Sequence, residues 1–282
     1  MFVRILLICA FSLAAVLPVL GQGWTREKGT GFYKLAFNYV ASDQFYEQNG
    51  EILTIPTLND YTISLYGEYG LTDAITAVAY VPVLKRLVLN RQVGEPSGFE
   101  YFEGDEATGL ADIDVGVKVS LLKSGGSILT AGVQFGLPVG DDAQENGLYT
   151  GDGEFNQMLT AGLGYSFYPA PAYTSAYAGF NNRTSGFSDE FRYGVEGGYT
   201  VAEILTATFK VDGKMSLKNG DGTASGGTGG LFANDQSYLT YGGHLGWHIT
   251  ESFGLSAGIT SAFYTRNTLS APEFTVGFFF VQ

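Results

Sequence analysis

The chain has 282 residues, with 28 acidic side chains against 15 basic ones and a formal charge of −13. That balance excludes a nucleic-acid binder, which needs a basic track. Charged residues are only 15% of the chain, whereas glycine (40 residues) and aromatics (15%) are abundant, a mixture that suits a wall with lipid on one side and water on the other.

The first element is a leader. Arg4 precedes an apolar run over 5–20 broken only by Ser12 and Pro18, and Val19-Leu20-Gly21 offers small or moderate residues to a signal peptidase. The run is short for a spanning helix and no positive stop-transfer flank follows. The expectation is a cleaved signal peptide over 1–21 and one exported domain over 22–282. Cleavage removes Cys9, the only cysteine, so the mature chain has no disulfide, thiolate nucleophile or cysteine metal site.

Beyond the leader the pattern has period two, which puts alternate residues on opposite faces of a strand. Over 31–41, Tyr33, Leu35, Phe37 and Tyr39 alternate with Lys34, Ala36 and Asn38. Over 61–69, Tyr61, Ile63 and Leu65 oppose Thr62, Ser64 and Glu68. Over 111–122 five aliphatics from Ile113 to Leu121 oppose Asp112, Asp114, Lys118 and Ser120. Over 191–200, Phe191, Tyr193, Val195 and Tyr199 oppose Arg192, Glu196 and Thr200. Over 237–250, Leu239, Tyr241, Leu245 and Trp247 oppose Thr240, His244 and His248. Further strands are expected over 74–82, 127–137, 155–167, 172–180, 204–215, 253–263 and 274–282; residues 83–90 fit either an extension or a separate element. About twelve strands result, each near the 9–11 residues or so that cross a bilayer at a tilt.

Short turns at 70–73, 123–126, 168–171, 201–203 and 250–252 alternate with longer polar stretches near 42–60, 84–110, 138–154, 181–190, 216–236 and 264–273. This is the plan of a closed transmembrane antiparallel β-barrel with both termini periplasmic. Asn49-Gly50 is a hairpin signal that shortens the first loop. The rival fold is a soluble sandwich or lipocalin-like barrel, whose apolar face points inward. Against it, the second face here is small or polar on nearly every strand. Aromatics also gather near strand ends (Tyr39, Tyr61, Tyr69, Tyr165, Phe167, Tyr199, Trp247, Phe263), like interfacial girdles.

Several phrases resemble one family. Tyr69-Gly70-Leu71-Thr72-Asp73 is similar to a periplasmic turn of small outer-membrane barrels. The segment Gly109-Leu110-Ala111-Asp112-Ile113-Asp114-Val115-Gly116-Val117-Lys118, then Phe135-Gly136-Leu137-Pro138-Val139-Gly140 and Thr150-Gly151-Asp152-Gly153, resemble the outer-membrane proteins of the meta-pathway of phenol degradation, a group loosely similar to FadL-type transporters. The resemblance implies a bacterial outer-membrane barrel that admits aromatic or other small organic compounds. Two departures stand out: Ala111 replaces the second glycine of the pattern, and the chain ends in Val281-Gln282, leaving Phe278 and Phe280 as the terminal aromatics. No FadL-like plug is expected, since only 22–30 precedes the first strand.

The polar register supplies the candidate lumen residues: Lys34, Glu68, Asp112, Asp114, Lys118, Arg192, Glu196, Lys210, Asp212, Lys214, His244 and His248. A lysine or arginine facing lipid at mid-depth costs about 2–4 kcal/mol, so these groups are expected inside. There they set a field for solutes or pair with one another to fill a narrow barrel, and pairing is the favoured expectation for most. His244 and His248, four residues apart on one strand, sit about 14 Å apart, too far to share a metal. Without a Gly-x-Ser-x-Gly elbow the chain is not read as an enzyme, and no cofactor or metal is expected. The acidic stretches at 95–106 and 141–154 lack EF-hand spacing and read as solvated loops. The glycine-rich 219–230 lacks a following Gly-Lys-Ser/Thr and reads as a flexible loop. Asn182-Arg183-Thr184 matches a glycosylation acceptor, of little meaning in a bacterium.

The functional expectation is passive uptake of small, hydrophobic or aromatic molecules, with a structural or surface-binding barrel of blocked lumen as the alternative. The expected partners are outer-membrane lipid and lipopolysaccharide, the barrel-assembly machinery during insertion, and an unidentified small solute.

Overall fold

The computed structural model describes residues 23–221, 226–227 and 231–282; the expected signal peptide lies outside the described residues. The alternating segments form twelve long strands. The first six are β1 (Gly31–Tyr46), β2 (Ile52–Gly70), β3 (Ile75–Leu89), β4 (Ile113–Ser124), β5 (Ser127–Leu137) and β6 (Asn156–Ser166). The rest are β7 (Ala172–Arg183), β8 (Glu190–Val201), β9 (Leu205–Ser216), β10 (Ser237–His248), β11 (Phe253–Arg266) and β12 (Glu273–Val281). Each pairs antiparallel with its sequence neighbours, and β1 pairs with β12 as well as β2. That last pairing, from Phe32 opposite Val281 to Val40 opposite Glu273, closes the barrel. Closure satisfies every strand edge, which a bilayer demands because lipid offers no hydrogen bonds.

The two faces decide between the rival folds. Leu35, Leu65, Leu163, Val195, Phe209, Leu245, Ile259 and Val276 are exposed, while Ser64, Thr130, Ser175, Thr206, Thr208, Ser256 and Thr275 on the opposite parity are buried. A soluble barrel has the reverse arrangement, because water rewards apolar burial. This protein is polar within and apolar without. Rings mark the outer face near the short-turn end, where Tyr69, Tyr165, Phe167, Tyr199 and Trp247 are exposed.

Residues 83–90 extend β3 to Leu89. Pro82 has no N–H to donate, and the ladder accommodates it with a bulge: Ser64 pairs with Pro82 and Ile63 with Leu84, so Val83 is skipped. The first loop shrinks to 47–51, because Tyr46 pairs with Ile52 and Gly50 adopts φ 86° in the turn. At about 3.4 Å per residue the 19 residues of β2 reach about 60 Å, well beyond a bilayer. The overhang is packed: Leu58, Leu87, Ala107, Leu148 and Leu269 form a small apolar core above the barrel. Two short strands join this region, Asp105–Gly109 on β3 and Thr268–Leu269 on β1. A separate exposed hairpin pairs Gln92–Val93 with Glu100–Phe102.

Residues 23–30 form a strap that folds into the short-turn end of the barrel. Trp24 packs edge-on against Tyr173 with ring centroids 5.3 Å apart. The Arg26 N–H donates to Thr76 Oγ1 at 2.7 Å, and the Gly29 N–H donates to the Gly70 carbonyl at 2.8 Å. A plug domain needs length, but an eight-residue strap needs only polar partners on the inner wall, and β2 and β3 supply them.

Candidate lumen site

The inward polar residues gather in three tiers. The tier at the short-turn end centres on Glu68 of β2, which is 3% exposed. Its carboxylate takes Arg26 Nε at 2.7 Å, Lys118 Nζ at 2.9 Å and the Tyr66 hydroxyl at 2.7 Å. Two cations and a hydroxyl satisfy one buried carboxylate, the condition under which a buried ion pair is tolerable. Phe32, Tyr66 and Phe279 form the apolar floor beside it.

In the middle tier Lys210 Nζ meets Asp212 Oδ2 at 2.7 Å, and the Tyr177 hydroxyl donates to Asp212 at 2.9 Å. The Tyr173 hydroxyl donates to Glu196 at 2.5 Å, and Glu196 pairs across strands with Lys210. Lys34 lies on β1 between Tyr66 and Phe279 of the adjoining strands. The histidines have separate surroundings. His248 lies 3.2 Å from the Thr206 hydroxyl and edge-on to Phe279, whereas His244 lies between Thr208 and Gly258.

The third tier, toward the long loops, is the most heavily charged. Glu190 of β8 binds Arg192 at 2.6 Å, Arg183 at 3.1 Å and Lys214 at 3.3 Å. Arg183 also holds Glu154 and, at 3.1 Å, Asp152. Asp112, just before β4, accepts the N–H groups of Gly140 and Asp152, each at 2.9 Å, and so ties the loop 138–155 to the wall. In this loop, outside the spanning strands, burial pushes the Asp152 carboxyl up to about 7; Glu154 and Asp112 add repulsion and Arg183 opposes them.

Between these groups lies a cavity of about 290 Å³. Asp60, Asp114, Asp152 and Glu273 give it acidic walls, Lys85 and Arg192 basic ones, and Tyr80, Met158 and Phe232 apolar ones. Lys85 is held by Asp60 at 2.5 Å and lies 5.7 Å from the Phe232 ring centre.

The candidates thus fall at three depths: Glu68 and Lys118, with His248 at the same short-turn end; Lys34, Glu196, Lys210, Asp212 and His244; Asp112, Asp114, Arg192 and Lys214. Sequence reasoning missed Arg26, Asp60, Lys85, Asp152, Glu154, Arg183, Glu190 and Glu273. Parity was a usable signal for several. Asp60 shares the inward parity of Thr62 and Ser64, Glu190 that of Arg192, and Glu273 that of Thr275. The expectation of solvated acidic loops fails at Glu154, which is 1% exposed against Arg183. Here a buried guanidinium draws loop carboxylates inward.

No family model matches the chain, and no curated protein matches it by sequence. Solved structures do match. An outer membrane channel from Pseudomonas putida aligns with a TM-score of 0.67 and 15% identity, over 95% of this chain and 100% of that one. The NanC porin aligns with a TM-score of 0.55 and 9% identity, over 88% of this chain and 98% of that one. At such identities the likeness is one of architecture. The fold is that of an outer-membrane β-barrel.

Proposed function

We propose that the chain is a bacterial outer-membrane channel that lets small organic molecules, of hydrophobic or aromatic character, diffuse across passively. The observation that carries this reading is the cavity inside the closed barrel, large enough for a single-ring compound and lined by both polar and apolar groups. Twelve strands lie between the filled interior of eight and the wide channel of sixteen, which suits a narrow path. The motifs shared with the meta-pathway family agree with it. In this reading the short-turn end, where Gly31 bonds to Gln282, faces the periplasm. Lipid and lipopolysaccharide contact the apolar belt, and the assembly machinery inserts the barrel.

A second reading, a barrel with a blocked lumen, is favoured by the strap of Trp24 and Arg26 at the short-turn end. Liposome swelling separates the two. Vesicles holding the folded protein should swell faster than protein-free vesicles in phenol-sized solutes and show no gain in trisaccharides. Equal rates for every solute, with and without protein, support the blocked barrel.

A further inference from the structure

The cavity has an apolar roof. Leu58, Leu87, Ala107, Leu148 and Leu269 are buried together beside it, and Val40 belongs to both, lining the cavity and packing against the roof. Register places this cluster inside the wall. Leu87 stands opposite Asp60, which lines the cavity, and Leu58 is two residues from Asp60 on the same face of β2. Leu58, Leu87, Ala107 and Leu269 belong to strands of the wall or of its rim. Leu148 does not: it comes from the loop between β5 and β6, and it is 0% exposed.

That loop is built as a body on a narrow neck. The Thr150 N–H donates to the Asp141 carbonyl and the Asp141 N–H donates to Thr150 Oγ1, each at 2.9 Å, which closes 141–150 into a compact Ω-loop. Gly140 and Gly151 flank the neck and abut, since a Cβ on Gly140 would lie 2.6 Å from the Gly151 Cα. The firm anchors sit outside the neck: Asp112 holds the Gly140 and Asp152 N–H groups, and Arg183 holds Asp152 and Glu154. The body has weaker ties. Asn146 donates to Asp105 Oδ1 at 2.8 Å and to the Glu106 carbonyl at 3.1 Å, both exposed bonds that water replaces at little cost. On another side the body abuts Gly227, where a Cβ would collide with Tyr149 and the Gly147 carbonyl. Among the described residues none of 138–155 enters a strand ladder, so the body can swing without opening the wall.

We infer that residues 141–150 form a lid over the long-loop mouth, hinged at its neck, with Leu148 as the stopper. Solutes reach the cavity when Leu148 leaves its nest between Leu58, Leu87, Ala107 and Leu269. Burial of one leucine side chain keeps the closed state dominant and the open state populated, because that burial is worth only about 1–2 powers of ten in the equilibrium. This inference rests on the channel reading and adds its regulation: entry at the long-loop end is gated by one apolar contact.

Two readouts test the lid, both in a Cys9→Ser background and on protein whose folding is verified on unheated gels. In the first, Asp105→Cys/Asn146→Cys is bridged by a short bifunctional methanethiosulfonate, which ties the body to the rim. Vesicles holding the bridged protein should swell in phenol-sized solutes no faster than protein-free vesicles, and reduction should restore the rate of the parent. The second needs no flux. Met158 lines the cavity and is 6% exposed, so the labelling of Met158→Cys by a water-soluble methanethiosulfonate follows the open fraction. Adding Leu148→Ser should speed labelling about tenfold or more, while Leu148→Met should leave it close to the parent. The strap at the other end is common to all these variants. Equal swelling of bridged and reduced protein, where the parent swells, overturns the lid and leaves the channel standing. Equal labelling with leucine and serine at 148 overturns the lid whether or not solutes cross. Faster labelling of the serine variant, with no swelling by the parent, keeps the lid and refutes the channel.

Discussion

Arg26 and Glu68 lie 42 residues apart and meet at 2.7 Å inside the barrel, pinning the strap to the wall of β2. Glu68 is the hub of that tier, because Lys118 and Tyr66 use the same carboxylate. Glu68→Gln keeps the volume but removes the charge of the buried carboxylate that Arg26 and Lys118 share. The expected cost is about 3–5 kcal/mol in urea unfolding from detergent or lipid. Lys118→Met should cost less, since Glu68 then retains Arg26.

Gly70 explains why the strap can lie so close to β2. A Cβ at this position would collide with the main-chain carbonyl of Glu27, and backbone cannot swing aside as a side chain can. Gly70→Ala should therefore dislodge the strap while the barrel stays folded. The chain has two tryptophans, Trp24 and Trp247, so a Trp247→Phe background isolates Trp24. Its emission should shift to the red in the Gly70→Ala variant, with a barrel melting profile close to that of the parent.

Exposure of the apolar parity predicts a depth-dependent cost for charge on the outside. Val195, midway along β8, is 54% exposed. In lipid vesicles Val195→Arg should destabilise the barrel by about 2–4 kcal/mol, while Val195→Leu should stay within about 0.5 kcal/mol. Equal effects would mean that water, not lipid, covers this face.

The loop 138–155 carries a pH dependence. Asp152 has its carboxyl raised to about 7, chiefly by burial, against an unfolded value near 4. The folded loop thus binds its proton more tightly than the unfolded loop. That contribution is full below about pH 4 and is lost as pH rises through about 7. Limited proteolysis of the loop should accelerate between about pH 5 and pH 8 in the parent, beyond the change in the protease's own rate. Asp152→Asn should flatten that rise.

The barrel was legible in the sequence because its physics is local and periodic. Alternation from Tyr33 to Tyr39 or Phe191 to Tyr199 states which residues share a face, and turn spacing states how strands connect. The overhang was harder to see. In 42–60 the polar residues Asp43, Glu47, Asn49 and Glu51 hid a hairpin that Asn49-Gly50 alone announced. The strap was illegible for a different reason: Trp24 and Arg26 carry no period, and their meaning lies in Tyr173 and Glu68 on distant strands. The ionic tier around Arg183 is likewise a tertiary fact. Nothing local distinguishes an acidic loop residue facing water from Glu154 folded back onto a guanidinium.

If the charged interior leaves a path through the barrel, single-channel recording in planar bilayers will register it. Purified, correctly folded protein should give discrete conductance steps, smaller than those of a sixteen-stranded porin, and Gly70→Ala should enlarge them as the strap leaves the short-turn end. Silence from both proteins, in samples whose folded state is verified on unheated gels, would rule out a path and leave a barrel whose interior serves only to hold it together.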